Sequence, residues 1–142
     1  MMARGMFSAR GLKKKRQNYK WKDVKYMRRQ LQLVKKNPLE GAPRGRGIVI
    51  DKRNVEQKQP HSGLIKAVRV QLIKNNVQVT AFVPGSGAID MINEHDEVII
   101  EGVGGSQGGP VGSQWGLKYK VVTVNGIDLQ QILSGKKQKP VR

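Results

Sequence analysis

The sequence predicts a mainly β protein: a small closed barrel of five short strands behind a long basic N-terminal extension. Three observations carry this reading. Downstream of residue 58 the chain alternates apolar and polar residues in short runs, which is the period of a half-buried strand. Those runs are separated by Gly, Pro and Asn, the residues that end strands and make tight turns. Upstream the chain is basic and poor in apolar pattern: residues 1–60 hold 18 Lys and Arg against 4 Asp and Glu, whereas residues 61–142 hold 9 against 6.

Taken in order, residues 1–20 show no apolar periodicity, and Gly5, Gly11 and the block Lys13-Lys14-Lys15-Arg16 favour a segment that orders only against a partner. One helix is expected over about 21–36. Asp23 can cap it, Val24, Met27, Leu31 and Val34 recur on one side, Lys25, Arg28, Arg29 and Lys36 fill much of the rest, and Asn37-Pro38 stops it. Its narrow apolar stripe would dock while its basic face meets phosphates. Gly41 to Gly47 reads as a linker in which Arg44 and Arg46 sit among small residues.

Ile48-Val49-Ile50 opens the first strand, continuing irregularly to Val55. The run Leu64–Ile73, the pair Asn75-Asn76 and the run Val77–Val83 form a hairpin, with Val68, Val70 and Leu72 on one face and Arg69 and Gln71 on the other. Pro84-Gly85-Ser86-Gly87 breaks the strand, and residues 88–96 connect to a short buried strand at Val98-Ile99-Ile100. Residues 102–116 hold seven glycines and form a loop. Leu117–Val124 is the last strand. Asp128 caps a short helix ending at Ser134 before Gly135, and Lys136 to Arg142 is a basic tail. The expected organisation is therefore an extension (1–43), a barrel of the OB type (44–135) and a tail (136–142).

A chain of net charge +17 with its charge gathered in one arm implies a polyanionic partner, because each neutralised phosphate releases counterions. Membrane binding would want an amphipathic segment as well, and no apolar run reaches the roughly 20 residues that span a bilayer. The acid-free first 20 residues imitate a transit peptide, but the consecutive charge block lacks amphipathic spacing and reads as an arm retained on the protein. The absence of cysteine excludes disulfides, thiolate metal sites and a cysteine nucleophile.

Catalytic chemistry finds little support. Glu94-His95-Asp96-Glu97 is the only ligand-rich cluster, yet four adjacent residues cannot converge on one ion, and no second His stands at ligand spacing. The glycines of 102–116 match neither a dinucleotide fingerprint nor a phosphate loop. His61 and Ser62, as neighbours, diverge rather than pair as base and nucleophile. No catalytic residue, metal or cofactor is expected.

The best candidate for recognition is the turn Lys58-Gln59-Pro60-His61-Ser62-Gly63. Pro60 fixes φ and holds Gln59 extended, Gly63 permits a sharp turn, and Lys58, Gln59 and Ser62 bring a cation, an amide and a hydroxyl. Lys66 and Arg69 adjoin it. With so few aromatic residues (Phe 2, Trp 2, Tyr 3), shape and phosphate recognition of folded RNA fits better than stacking along a single strand.

Several segments then resemble a known family. Lys58-Gln59-Pro60-x-Ser62 with Val68-Arg69-Val70-Gln71-Leu72-Ile73-Lys74-Asn75 is similar to the small-subunit ribosomal protein S-twelve family. So are Thr80-Ala81-Phe82-Val83-Pro84-Gly85, Asp96–Gly102, Lys120-Val121-Val122 and Gly135-Lys136-Lys137. Trp21–Leu33 and Leu39–Pro43 look like its archaeal and eukaryotic branch. The resemblance implies an OB barrel beside the decoding centre, with the 58–63 turn approaching the minor groove where codon meets anticodon. It places Pro60 and Ser62 nearest that groove, Lys58 and Lys66 toward rRNA phosphates, and Gln59, His61, Gly63, Arg69, Trp115 and Lys118 in the same surroundings. It implies that the extension threads through rRNA, with Arg10, Lys13, Lys14, Lys15, Arg16, Lys25, Arg28, Arg29, Arg44 and Arg46 on phosphates. The implied partners are small-subunit rRNA, A-site tRNA and mRNA nearby, neighbouring ribosomal proteins and translation factors, in cytoplasmic ribosomes, with no membrane and no homo-oligomer. In some eukaryotic relatives the proline matching Pro60 is hydroxylated.

Three departures stand out. His61 replaces the family's Asn, Ile65 stands where Arg is common, and Ser113-Gln114-Trp115-Gly116-Leu117-Lys118 replaces an Asp-x-Pro-Gly-apolar-Arg segment. Ile65 thereby removes one phosphate contact from the flank of the turn. Lys118 keeps the charge without the guanidinium fork, and Trp115 can stack on a base. Two other readings compete: a free OB-type RNA-binding translation factor or RNA chaperone, which would wash off subunits in moderate salt, and a metal-dependent nuclease using His95, Asp96 and Glu97.

Overall fold

A computed structural model describes residues 5–57, 63–105, 109–112 and 116–140. The chain divides into two compact units, Met1–Gly41 and Ala42–Arg142.

The first unit is helical. α1 (Ser8–Lys22), α2 (Val24–Gln30) and α3 (Leu33–Lys36) replace the single helix expected over about 21–36. The segment expected to lack regular structure is largely α1, because Lys, Arg, Leu and Gln are good helix formers whatever their charge, and Lys20 and Lys22 in its last turn suit the negative end of the helix dipole. No residue of α1 is buried. Asp23 caps as expected, but a helix precedes it as well. Its extended backbone (φ −76°, ψ 119°) ends α1, and its carboxylate accepts from the Lys25 N–H at 3.0 Å to start α2. Gln32 at φ 51° separates α2 from α3, and Asn37 ends α3 ahead of Pro38. Val24, Leu31 and Val34 of the apolar stripe stay exposed.

The second unit is mainly β: β1 (Arg44–Glu56), β2 (Leu64–Leu72), β3 (Gln78–Phe82), β4 (Glu97–Gly102), β5 (Tyr119–Val124) and β6 (Ile127–Asp128). Among the described residues there are six strands rather than five, because the two residues before the last helix also pair with β5. The sheet runs β3-β2-β1-β4-β5-β6, antiparallel throughout. In addition, β3 pairs with β5 in parallel through Ala81↔Tyr119 and Phe82↔Lys120. The five longer strands thus form a closed circuit of pairings. β1 begins at Arg44, so the latter part of the expected linker belongs to the sheet. It is bulged between Val49 and Asp51, which accounts for the irregular pattern toward Val55.

The expected hairpin is present, with Asn76 at φ 57° in its turn. Val68, Val70 and Leu72 are buried opposite Val79 and Ala81. On the last strand, Val121 and Val124 are buried rather than a strict alternation, because the β4–β5 register shifts between Ile99 and Ile100. Gly47 lies so close to β2 that a Cβ there would meet Val70 Cγ1 and the Gln71 carbonyl oxygen, the latter at 2.9 Å. A 3-10 turn (Ala88–Met91) and α4 (Leu129–Leu133) bring Ala88, Ile92, Leu129 and Ile132 to the core. Asp128 caps α4 through the Gln130 N–H at 3.0 Å, and Gly135 closes it at φ 78°.

Candidate nucleic-acid interface

Residues Lys58 to Ser62, the centre of the predicted recognition turn, lie outside the described residues, as does Trp115. The frame that carries them is described. The turn joins β1 to β2: Glu56 pairs with Leu64, and the Gln57 N–H donates to the Gly63 carbonyl at 3.1 Å. The loop therefore leaves and re-enters the sheet at one closed hairpin mouth, where Gly63 is exposed.

Beneath that mouth lies a small hydrophobic cluster. Ile65, Ala67 and Leu117 are buried together, with Val55 and Phe82 packed against them. Ile65 and Ala67 are on the β2 face opposite to Val68, Val70 and Leu72, so the strand passes from one buried face to the other where Ala67 and Val68 are both at 0% exposure. The cluster joins the base of the 57–63 turn, through Val55 and Ile65, to the end of the glycine-rich loop, through Leu117. The two segments that sequence reasoning linked only by resemblance are thus held by one set of contacts. Ile65, which in sequence reads only as a missing cation, is part of the packing. Nothing in the local pattern marked Ile65 and Leu117 as neighbours, since the pairing is made across strands.

The predicted cations among the described residues fall into four groups. Lys66 and Lys118 are exposed, each beside a buried member of the cluster. Their carbonyls tie down adjoining strands, accepting from the Val83 N–H at 3.1 Å and the Val103 N–H at 2.9 Å. Arg69 is not gathered with them. It stands six residues beyond Gly63, roughly 20 Å along the strand, and its Nε donates to Gln78 Oε1 at 3.0 Å. Arg44 and Arg46 are ion-paired within the sheet. Arg44 Nε meets Glu101 Oε2 at 3.1 Å, and Arg46 donates to Glu97 Oε1 through Nε at 2.8 Å and Nη2 at 2.5 Å. Lys120 shares Glu101 at 3.2 Å. Hydrogen bonding from Lys120, opposed by partial burial and aided by Arg44, holds the Glu101 carboxyl below its ordinary pKa. In the helical unit, Arg10, Lys13, Lys14, Lys15, Arg16, Lys25, Arg28 and Arg29 are all exposed. The Arg10 guanidinium lies 4.2 Å above the Phe7 ring.

The Glu94–Glu97 segment is a structural turn. His95 adopts φ 68° and its N–H donates to the Val49 carbonyl at 2.8 Å. Asp96, 8% exposed, accepts from the Asn93 N–H at 2.8 Å, from Asn125 Nδ2 at 3.4 Å and from Lys139 Nζ. Burial pushes its carboxyl pKa up, but the bonds from Lys139, Asn93 and Asn125 outweigh this and hold it below the ordinary value. A carboxylate so committed is not free to receive a cation. Among the described residues no group of three or more metal-ligating side chains converges, and no helix is long and apolar enough to cross a membrane.

Comparison with known families decides the class of the molecule. The family description ribosomal protein S12/S23 matches residues 32–142. The chain belongs to the ribosomal protein S12/S23 family. It is accordingly a small-subunit ribosomal protein that binds rRNA and serves translation within the ribosome, in a structural, non-enzymatic family. The match takes in the whole sheet, the 57–63 turn and the glycine-rich loop, and it begins at Gln32, after α1 and α2. For this S12/S23 protein the nuclease reading of His95, Asp96 and Glu97 falls away on both counts, the family and the engaged Asp96.

Proposed function

We propose that this protein supports the accuracy of decoding by presenting its 57–63 turn, from a barrel of the OB type, to the minor groove formed by codon and anticodon. Pro60 and Ser62 stand nearest the paired bases, Lys58, Lys66 and Lys118 meet rRNA phosphates, and Gln59, His61, Gly63 and Trp115 complete the contact surface. The extension threads through rRNA by Arg10, Lys13, Lys14, Lys15, Arg16, Lys25, Arg28 and Arg29. Arg44, Arg46 and Arg69 contribute to phosphate contact only through the charge left by their partners. A-site tRNA, mRNA, neighbouring ribosomal proteins and translation factors adjoin the site in the archaeal or eukaryotic type of cytoplasmic ribosome.

The observation that carries this reading is the apolar cluster under the hairpin mouth. A turn that reads small differences in codon–anticodon geometry must be held rigidly, and Val55, Ile65 and Leu117 brace it at both stems. The closed circuit of β1, β2, β3, β5 and β4 supports the barrel. The test is misreading measured with a dual-reporter translation assay on ribosomes carrying Ser62→Ala. Loss of one hydrogen bond, about 0.5–1.5 kcal/mol, is expected to change the error frequency about 2- to 12-fold while subunits still assemble. An unchanged error frequency overturns the role given to the turn.

A further inference from the structure

Four of the protein's seven aromatic residues, Phe7, Tyr19, Trp21 and Tyr26, lie within the first 26 residues. Of these, Trp21 is 45% exposed on a helix that buries nothing. The extended Asp23 between α1 and α2 lets Tyr26 come back against it, with ring centroids 5.4 Å apart and planes at 72°. Lys20 Nζ lies 6.0 Å from the Tyr26 centroid, and Lys25 is exposed nearby on α2. An edge-to-face pair leaves ring surface uncovered, and cations beside open aromatic rings are the components with which proteins hold single-stranded nucleic acid.

We propose that the Trp21–Tyr26 pair at the α1–α2 joint is a stacking site for an unpaired nucleobase, with Lys20 and Lys25 taking the flanking phosphates. The inference rests on the rRNA-binding role and adds the ligand class, an unpaired base rather than the duplex backbone. A bilayer is the poorer occupant: at about 100° per residue Tyr19 and Trp21 face opposite sides of α1, so there is no continuous apolar face to enter lipid. A second copy is opposed by charge, since residues 1–41 hold 13 Lys and Arg against 2 Asp and Glu.

The full-length protein is compared with Trp21→Leu and Trp21→Leu/Tyr26→Leu, changes to a good helix former at an exposed and a half-buried position. The probes are a short unstructured RNA, the same strand annealed as a duplex, heparin, and anionic lipid vesicles. The double variant is expected to lose about 5- to 150-fold in affinity for the single strand, with duplex and heparin binding unchanged, and Trp21→Phe is expected to retain most of the affinity. Equal loss on all polyanions, no loss on the single strand, or loss on vesicles alone overturns the proposal. The Ser62→Ala error frequency does not depend on this joint, so the stacking site and the accuracy role fail separately.

Discussion

Asp96 shows how one residue that invites a chemical reading serves the architecture. Its carboxylate gathers the Asn93 amide, the Asn125 side chain and Lys139, joining the turn before β4, the β5–β6 connection and the segment after α4. Because its pKa lies below the ordinary carboxylate value in the folded protein, the unfolded chain takes up the proton first as pH falls. The resulting stability is fully present above the unfolded carboxylate value and is lost as pH falls through the folded one. Asp96→Asn is therefore expected to cost about 1.5–3 kcal/mol at neutral pH, measured by denaturant unfolding. It is also expected to flatten the decline in stability that the native protein shows below roughly pH 4. The sequence marked residues 88–96 as a connection into the Val98 strand, which is where this turn lies. The bond to Lys139, 43 residues away, has no local signature.

At the scale of the element, the legible features were those with local causes. The hairpin at Asn75-Asn76, the Asp128 cap and the Gly135 stop follow from turn and cap chemistry written in adjacent residues. What was not legible came from pairing and from helix propensity acting without amphipathic pattern. β6 exists because Thr123 and Val124 find partners in it, and α1 exists although its apolar residues mark no face. The cluster under the hairpin mouth belongs to the first kind of surprise, being assembled from β1, β2, β3 and the approach to β5. Leu117→Ala would leave a cavity beneath both stems and is expected to destabilise the protein by about 2–5 kcal/mol. Denaturant unfolding gives the magnitude. Faster hydrogen exchange at Gln57, whose N–H closes the mouth, would identify the cluster as the brace, whereas unchanged exchange there would leave Leu117 a core residue only.

For the whole molecule, charge and its distribution dominate. The sheet unit neutralises much of its own charge, with Glu97 and Glu101 taking Arg46, Arg44 and Lys120, whereas the α1 cations lie open to solvent. The candidate site was thus readable as a basic composition, but not which cations remain available, because the acids that engage Arg44 and Arg46 lie more than 50 residues away. Replacing Lys13, Lys14, Lys15 and Arg16 by Gln is expected to weaken binding to small-subunit rRNA. It should also reduce the slope of log affinity against log salt by about 0.7–0.9 for each phosphate no longer neutralised. Arg46→Gln, by contrast, is expected to leave that slope nearly unchanged, and a filter-binding salt titration separates the two.

The β3–β5 pairing has a consequence for the protein before it meets RNA. Among the described residues each of the five longer strands has a neighbour on either side over part of its length, β6 is two residues long, and the longest one-sided stretch is Asp51–Glu56 of β1, which pairs with β2 alone. A newly made copy therefore offers another copy only short stretches of edge on which to template a strand, the longest beside Asp51–Glu56. For a ribosomal protein produced ahead of its rRNA, closing the circuit of strands limits the edge through which β-aggregation could start.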